Sequence, residues 1–96
     1  MAFLQIIDFR TSDPDGVKKI DDEWEAATEG KRTVRREIVA RDRNDPSHHV
    51  VLVFFDSYES AQENARLPET QAAAEKYAAA TKGLSYIDLD VIDERS

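Results

Sequence analysis

Residues 50 to 55 read VVLVFF, six hydrophobic side chains in succession within a chain of which 34% is charged. On a strand, successive side chains point to opposite faces, so a run with no polar member is covered on both sides. Val50, Leu52 and Phe54 form one face, and Val51, Val53 and Phe55 form the other. FLQIIDF, residues 3 to 9, repeats the demand with Phe3, Ile7 and Phe9 against Leu4 and Ile6. Burying each such side chain stabilises by ~1.5–3 kcal/mol, whereas five or six left exposed make a patch of the kind that marks an interface. A chain of 96 residues suits one domain, residues 1–96, with a thin core of its own. Cover for the second face is therefore expected from a second copy of the chain.

The remaining elements follow from punctuation and period. TSDPDG supplies Asp13, or Ser12, as a helix cap with Pro14 in the first turn. Val17, Ile20, Trp24 and Ala27 then follow at helical spacing as one apolar stripe. TVRREIVARDR, residues 33 to 43, alternates imperfectly, with Val34, Ile38 and Ala40 set against charge. NDPS is a turn into the strand HHVVLVFF. Asp56 and Glu59 have capping-box spacing, with Ser57 as the rival cap, and open a helix through Asn64. Pro68 predicts a kink or a second start before the alanine-rich stretch ETQAAAEKYAAATK. LSYIDLDVI alternates Ser85, Ile87, Leu89 and Val91 against Tyr86, Asp88 and Asp90, a half-covered strand. The order is βαββαβ, a ferredoxin-like α+β fold with a four-stranded antiparallel sheet, two helices on one face and spatial strand order 4-1-3-2.

Composition narrows function by exclusion. The formal charge of −7 opposes binding to phosphate backbones, so no nucleic acid is expected as a partner. With no cysteine there is no disulfide framework or thiolate site, which fits a reducing, cytoplasmic setting. The start MAFLQIIDFR carries acid and base where a signal peptide is apolar, and no run is long enough to span a membrane. Neighbouring His48 and His49 point to opposite strand faces and cannot together hold one ion, so no metal is expected. Three scattered glycines build no phosphate cradle, and no serine-hydrolase elbow or dinucleotide fingerprint occurs.

The element order, the small size and the apolar third strand running into FFDSYESAQENARLPET together resemble the dimeric α+β barrel superfamily, in particular small domains related to antibiotic biosynthesis monooxygenases. The resemblance covers nearly the whole chain. It implies a homodimer whose sheets pack face to face and, between helices and sheet, a site for a small hydrophobic or aromatic molecule. It further implies oxidation without cofactor, neither metal nor flavin, in which the substrate as enolate or phenolate gives an electron to oxygen. Related domains often carry a histidine near the place of Asn64, where this chain has the amide.

Within that frame the candidate catalytic residues are His49, as general base, and Asn64, as an amide that can donate and accept. Trp24, Tyr58 and Tyr77 are the candidate substrate-binding aromatics. Each also has an ordinary structural use: a polar strand start, a helix-break cap, or core filling. Ala72 to Ala74 and Ala78 to Ala80 leave little volume beneath the last helix, so either it lies close to the sheet or a cavity remains. Two further readings stay open on the same residues. One is a non-catalytic dimerisation or ligand-binding module, and the other is an isomerase or lyase that uses the same pocket without oxygen. Whether the protein is an enzyme is left undecided by its residues.

Overall fold

The computed structural model of the protein describes residues 2–96. Its elements run β1 (Phe3–Arg10), α1 (Pro14–Ala27), β2 (Arg36–Arg41), β3 (His48–Phe55), α2 (Tyr58–Arg66), α3 (Pro68–Ala80) and β4 (Lys82–Asp90). All strand pairings are antiparallel, in the order β2-β3-β1-β4. This is the ferredoxin-like arrangement expected from the sequence, with β1 and β3, the two least polar strands, at the centre.

Local chemistry explains the helix ends. The Asp13 carboxylate accepts from the Gly16 amide at 3.0 Å, and Pro14 follows at the first helical position. A Cβ at position 16 would collide with that capping carboxylate, so glycine there lets the cap keep its place. At the second helical region the cap is Ser57, which accepts from Ser60 N at 3.1 Å, while Asp56 pairs with Arg35. Pro68 ends the helix and starts another: Leu67 takes an extended conformation between α2 and α3. In α1 the stripe holds as far as Trp24. Ala27 is exposed, and the buried place goes to Thr28, whose hydroxyl donates to the Trp24 carbonyl at 2.7 Å.

Register decides the two faces of the sheet. Phe3, Gln5, Ile7 and Phe9 of β1 lie beside Phe55, Val53, Val51 and His49 of β3, on the side covered by the helices. There Phe3, Phe9, Val51, Val53 and Phe55 form the core with Val17, Ala61 and Tyr77. The opposite face carries Leu4 and Ile6 beside Phe54 and Leu52, flanked by Ile38 on β2 and by Leu89 and Ile87 on β4. Among the described residues, no element covers that face, and Ile87 and Leu89 are 47% and 39% exposed.

The edge strands are inverted relative to a sheet covered on one side. On β4 the apolar set, Ile87 and Leu89, lies on the open face, while Tyr86 and Asp88 lie on the helix side beside Ile7 and Gln5. On β2, Ile38 and Ala40 share the open face with Arg36, and Glu37 comes to the helix side opposite Val53. Val34, expected on the same face as Ile38, lies before the strand begins and packs against the core.

Candidate functional site

A cavity of about 110 Å³ lies between the helices and the sheet. Its floor is apolar, from Ile7, Val51, Val53 and Phe55 of the central strands, and Ala73 and Ala74 of α3 line it from above. The small alanine side chains leave the space open where larger residues would close it. Polar groups enter from every side: Trp24 and Asp21 from α1, Glu37 from β2, Asn64 from α2, and Thr70 and Tyr77 from α3.

These groups fall into two sets. In the first, donors are already committed within the protein. The Trp24 indole Nε1–H donates to Thr70 Oγ1 at 3.0 Å, and the Tyr77 hydroxyl donates to Asp21 Oδ1 at 2.7 Å. Both bonds tie α1 to α3. Burial, aided by the Asp21 carboxylate beside it, raises the Tyr77 hydroxyl well above the ordinary tyrosine range. Asp21 is itself raised, chiefly by burial and against the pull of that hydrogen bond.

The second set consists of acceptors without a protein donor. Asn64 is buried, and its Oδ1 is fully enclosed with no hydrogen-bond partner. A buried amide oxygen left unsatisfied costs about 1–3 kcal/mol, which makes it the most unusual atom in the cavity wall. Glu37 is pushed up to about 7, first by burial and then by the negative charges of Asp21 and Glu25, with Arg32 opposing. An acid poised near neutrality, in a cleft and beside a second carboxylate, is the arrangement that proton transfer requires.

Of the aromatic and polar residues singled out in the sequence, Trp24, Tyr77 and Asn64 meet around this one cavity. Tyr58 stands apart, 49% exposed, with its ring edge-on to Phe3 at 5.4 Å between centroids. His49 opens on the neighbouring groove between α1 and the sheet, which also touches Asp21 and Glu37. Its ring stacks on Phe9 at 5.6 Å, and its Nδ1–H donates to the Ser47 carbonyl at 3.1 Å. That bond fixes the tautomer and leaves Nε2 as the acceptor. Asp21 and Glu37 were legible in the sequence only as charged surface. The one available signal was the imperfect alternation of TVRREIVARDR, which leaves the face of Glu37 ambiguous.

His48 belongs to the other side of the sheet. Its Nδ1 lies 2.9 Å from Asp42 Oδ2 and its Nε2 lies 3.0 Å from Asp8 Oδ1, so the ring, when protonated, donates to both carboxylates. Those two bonds raise the imidazole above its ordinary value. Among the described residues, no helix is long and apolar enough to cross a membrane.

No protein-family model matches the sequence, and no curated protein matches it. Solved structures do match in three dimensions. SnoaB, a cofactor-independent oxygenase from Streptomyces nogalater, superposes with a TM-score of 0.82 at 11% identity, over 97% of this chain and 95% of that one. Rv0793 from Mycobacterium tuberculosis gives 0.81 at 13% identity over 100% of both chains. A proposed antibiotic biosynthesis monooxygenase from Chloroflexus aurantiacus gives 0.77 at 19%, over 100% of this chain and 98% of that one. At these identities the likeness establishes a shared fold, the ferredoxin-like one.

Proposed function

We propose that the protein is a homodimer that binds a small hydrophobic or aromatic molecule in the cavity beneath α3 and oxidises it with dioxygen, without metal or flavin. The observation that carries the reading is Asn64 Oδ1, a buried acceptor with no partner in the wall of an otherwise apolar space. Such a group is retained at a cost to stability, and a ligand donor would satisfy it. The shared fold with a cofactor-independent oxygenase supports the choice of chemistry.

The reaction balances without a resident redox group. A base removes a proton from an activated CH₂ of the substrate, leaving an enolate or phenolate. This anion passes one electron to dioxygen, and the resulting radical and superoxide join through a new C–O bond. The peroxide then loses water as its O–O bond breaks and the second hydrogen leaves as a proton, so that a CH₂ and O₂ become a C=O and H₂O. The protein contributes a dry space, a proton acceptor and hydrogen bonds to the developing oxyanion. In this reading the Asn64 amide holds the reacting oxygen, its Oδ1 accepting from the ligand O–H and its Nδ2–H₂ donating to the anion that forms, while Trp24 and Tyr77 set the ring against the apolar floor. His49 serves as the base only for a ligand that reaches the adjoining groove.

Dimerisation is supported by the uncovered face, on which Leu4, Ile6, Ile38, Leu52, Phe54, Ile87 and Leu89 adjoin one another across four strands. Two such faces packed together give a two-fold assembly with the helices outside. The test of function is oxygen consumption in the presence of phenols and enolisable single-ring ketones, cyclohexane-1,3-dione among them, with ¹⁸O₂ to follow the inserted atom. Label in a new carbonyl, lost in Asn64→Ala, supports an oxygenase. Ligand binding with no oxygen uptake across the panel would overturn it in favour of a binding module or an oxygen-independent isomerase.

A further inference from the structure

The geometry points to Glu37 as the group that accepts the ligand's proton and that restricts the cavity to compact, uncharged hydrogen-bond donors such as a single-ring phenol or enol. This deepens the function proposed above and rests on it.

Three observations lead there. The first is the balance of hydrogen bonding in the cavity. The Trp24 and Tyr77 donors are spent on Thr70 and Asp21, and the Gln5 amide donates to Asp88 at 3.0 Å. Asn64 Oδ1 and the Glu37 carboxylate take no hydrogen bond from the protein, so a ligand O–H is the group that would satisfy them. The second is charge. Asp21 and Glu37 both line the cavity, and no lysine, arginine or histidine does. A carboxylate or phosphate ligand would meet two acids and no cation in a partly desolvated space. The third is size. A cavity of roughly 150 Å³ holds benzene, and this one, at about 110 Å³, is smaller, so a single small ring is the most it accepts.

Position separates Glu37 from His49 as the acceptor. Glu37 forms part of the wall shared by the cavity and the groove, whereas His49 lines the groove alone. The charged and titratable groups around Glu37 are Asp21 and Glu25 on α1, Arg32 before β2, Tyr77 on α3, Tyr86 on β4 and His49 on β3. Burial first, and then Asp21 and Glu25, raise its proton affinity toward neutrality, which suits a group that must take a proton and return it. The transfer is simple: the ligand O–H or C–H breaks, the proton moves to the Glu37 carboxylate, and the resulting carboxylic acid donates a hydrogen bond back to the new anion.

The experiment uses phenol and benzoate as probes, single rings that differ in charge and by a carboxyl carbon and oxygen, titrated into the whole protein with Trp24 fluorescence and calorimetry in two buffers of different ionisation enthalpy. Phenol is expected to bind at least about tenfold more tightly than benzoate at pH 8. Benzoate binding is expected to take up a proton, weakening by up to about tenfold per pH unit above pH 7. Glu37→Gln should abolish that proton uptake and narrow the discrimination, while Asn64→Ala should weaken phenol and leave the benzoate proton uptake in place. Tight phenol binding with proton linkage unchanged in Glu37→Gln would overturn the assignment of Glu37 alone. Failure of wild-type protein to bind either probe would overturn the cavity as a ligand site and this inference with it. The wild-type proton linkage needs no substitution, so a variant that fails to fold does not remove the test.

Discussion

Replacing Asn64 with leucine is expected to make the protein more stable. Asn64 is 7% exposed on the last turn of α2, its Oδ1 is enclosed without a donor, and its backbone carbonyl accepts from Leu67 N at 3.3 Å regardless of the side chain. An unsatisfied buried acceptor costs about 1–3 kcal/mol, and leucine removes it. Leucine also exceeds asparagine in helix propensity by a few tenths of a kcal/mol and finds room in the adjoining cavity. A gain of about 1.5 kcal/mol corresponds to a rise in Tm of roughly 6–12 °C for a domain of this length. Urea denaturation at fixed protein concentration, followed by circular dichroism, measures the change as a shift in midpoint at constant slope. Phenol affinity and oxygen uptake should fall in the same variant, since the anchor of the ligand has been traded for stability. A destabilisation of 1 kcal/mol or more would refute the reasoning, because it would mean that the amide is satisfied in the folded protein.

Three further outcomes are expected. Glu37 has a folded pKa raised from 4.5 to about 7, so the folded state binds the extra proton between those values and stability falls as pH rises through that window. Glu37→Gln should lose that slope and exceed the wild type at pH 8 by about 1–2 kcal/mol after allowance for solvent screening of a half-buried group, read from urea midpoints at pH 5 and 8. Ile87→Lys places a charge on the open face beside Ile6 and should convert a dimer to a folded monomer at micromolar concentration, as sedimentation velocity would reveal. Gly83→Ala, at φ +64, should cost about 1–2 kcal/mol with the assembly unchanged, measured by thermal denaturation.

The architecture was legible because its signals are local or strictly periodic. VVLVFF fixed a two-sided strand, Pro14 and Pro68 marked helix starts, and the period-two alternation of LSYIDLDVI marked β4. Faces at the sheet edges were harder. In a sheet with one covered side, apolar positions point to the helices, and by that rule Glu37, Tyr86 and Asp88 would belong to solvent. Here the edge strands turn Ile38, Ile87 and Leu89 away from the helices, so Glu37 and Tyr86 line the cavity. Asp21 was hidden for a related reason. It lies in the acidic run Asp21, Asp22, Glu23, which reads as a solvated helix face, and only the packing of α3 brings the Tyr77 hydroxyl to it. Residues 24, 64 and 77 could be singled out by type, but their meeting around one space depends on the crossing of three helices, which no spacing encodes.

The interruption at Leu67 and Pro68 divides responsibility for the cavity between two separately adjustable pieces. The segment before it, α2, contributes the polar anchor Asn64, while the segment after it, α3, contributes the space-setting Ala73 and Ala74 with Thr70 and Tyr77. Because the backbone between them is extended rather than helical, a substitution that shifts one piece need not rotate the other. For the proposed ligand, the functional group it presents and its size are therefore two nearly independent variables. A larger side chain at position 73 or 74 would shrink the accepted ring without disturbing its anchor, and a polar residue of similar volume at position 64 would alter the accepted chemistry with little change in size. A fold arranged in this way can be retuned to new ligands by single substitutions, one property at a time.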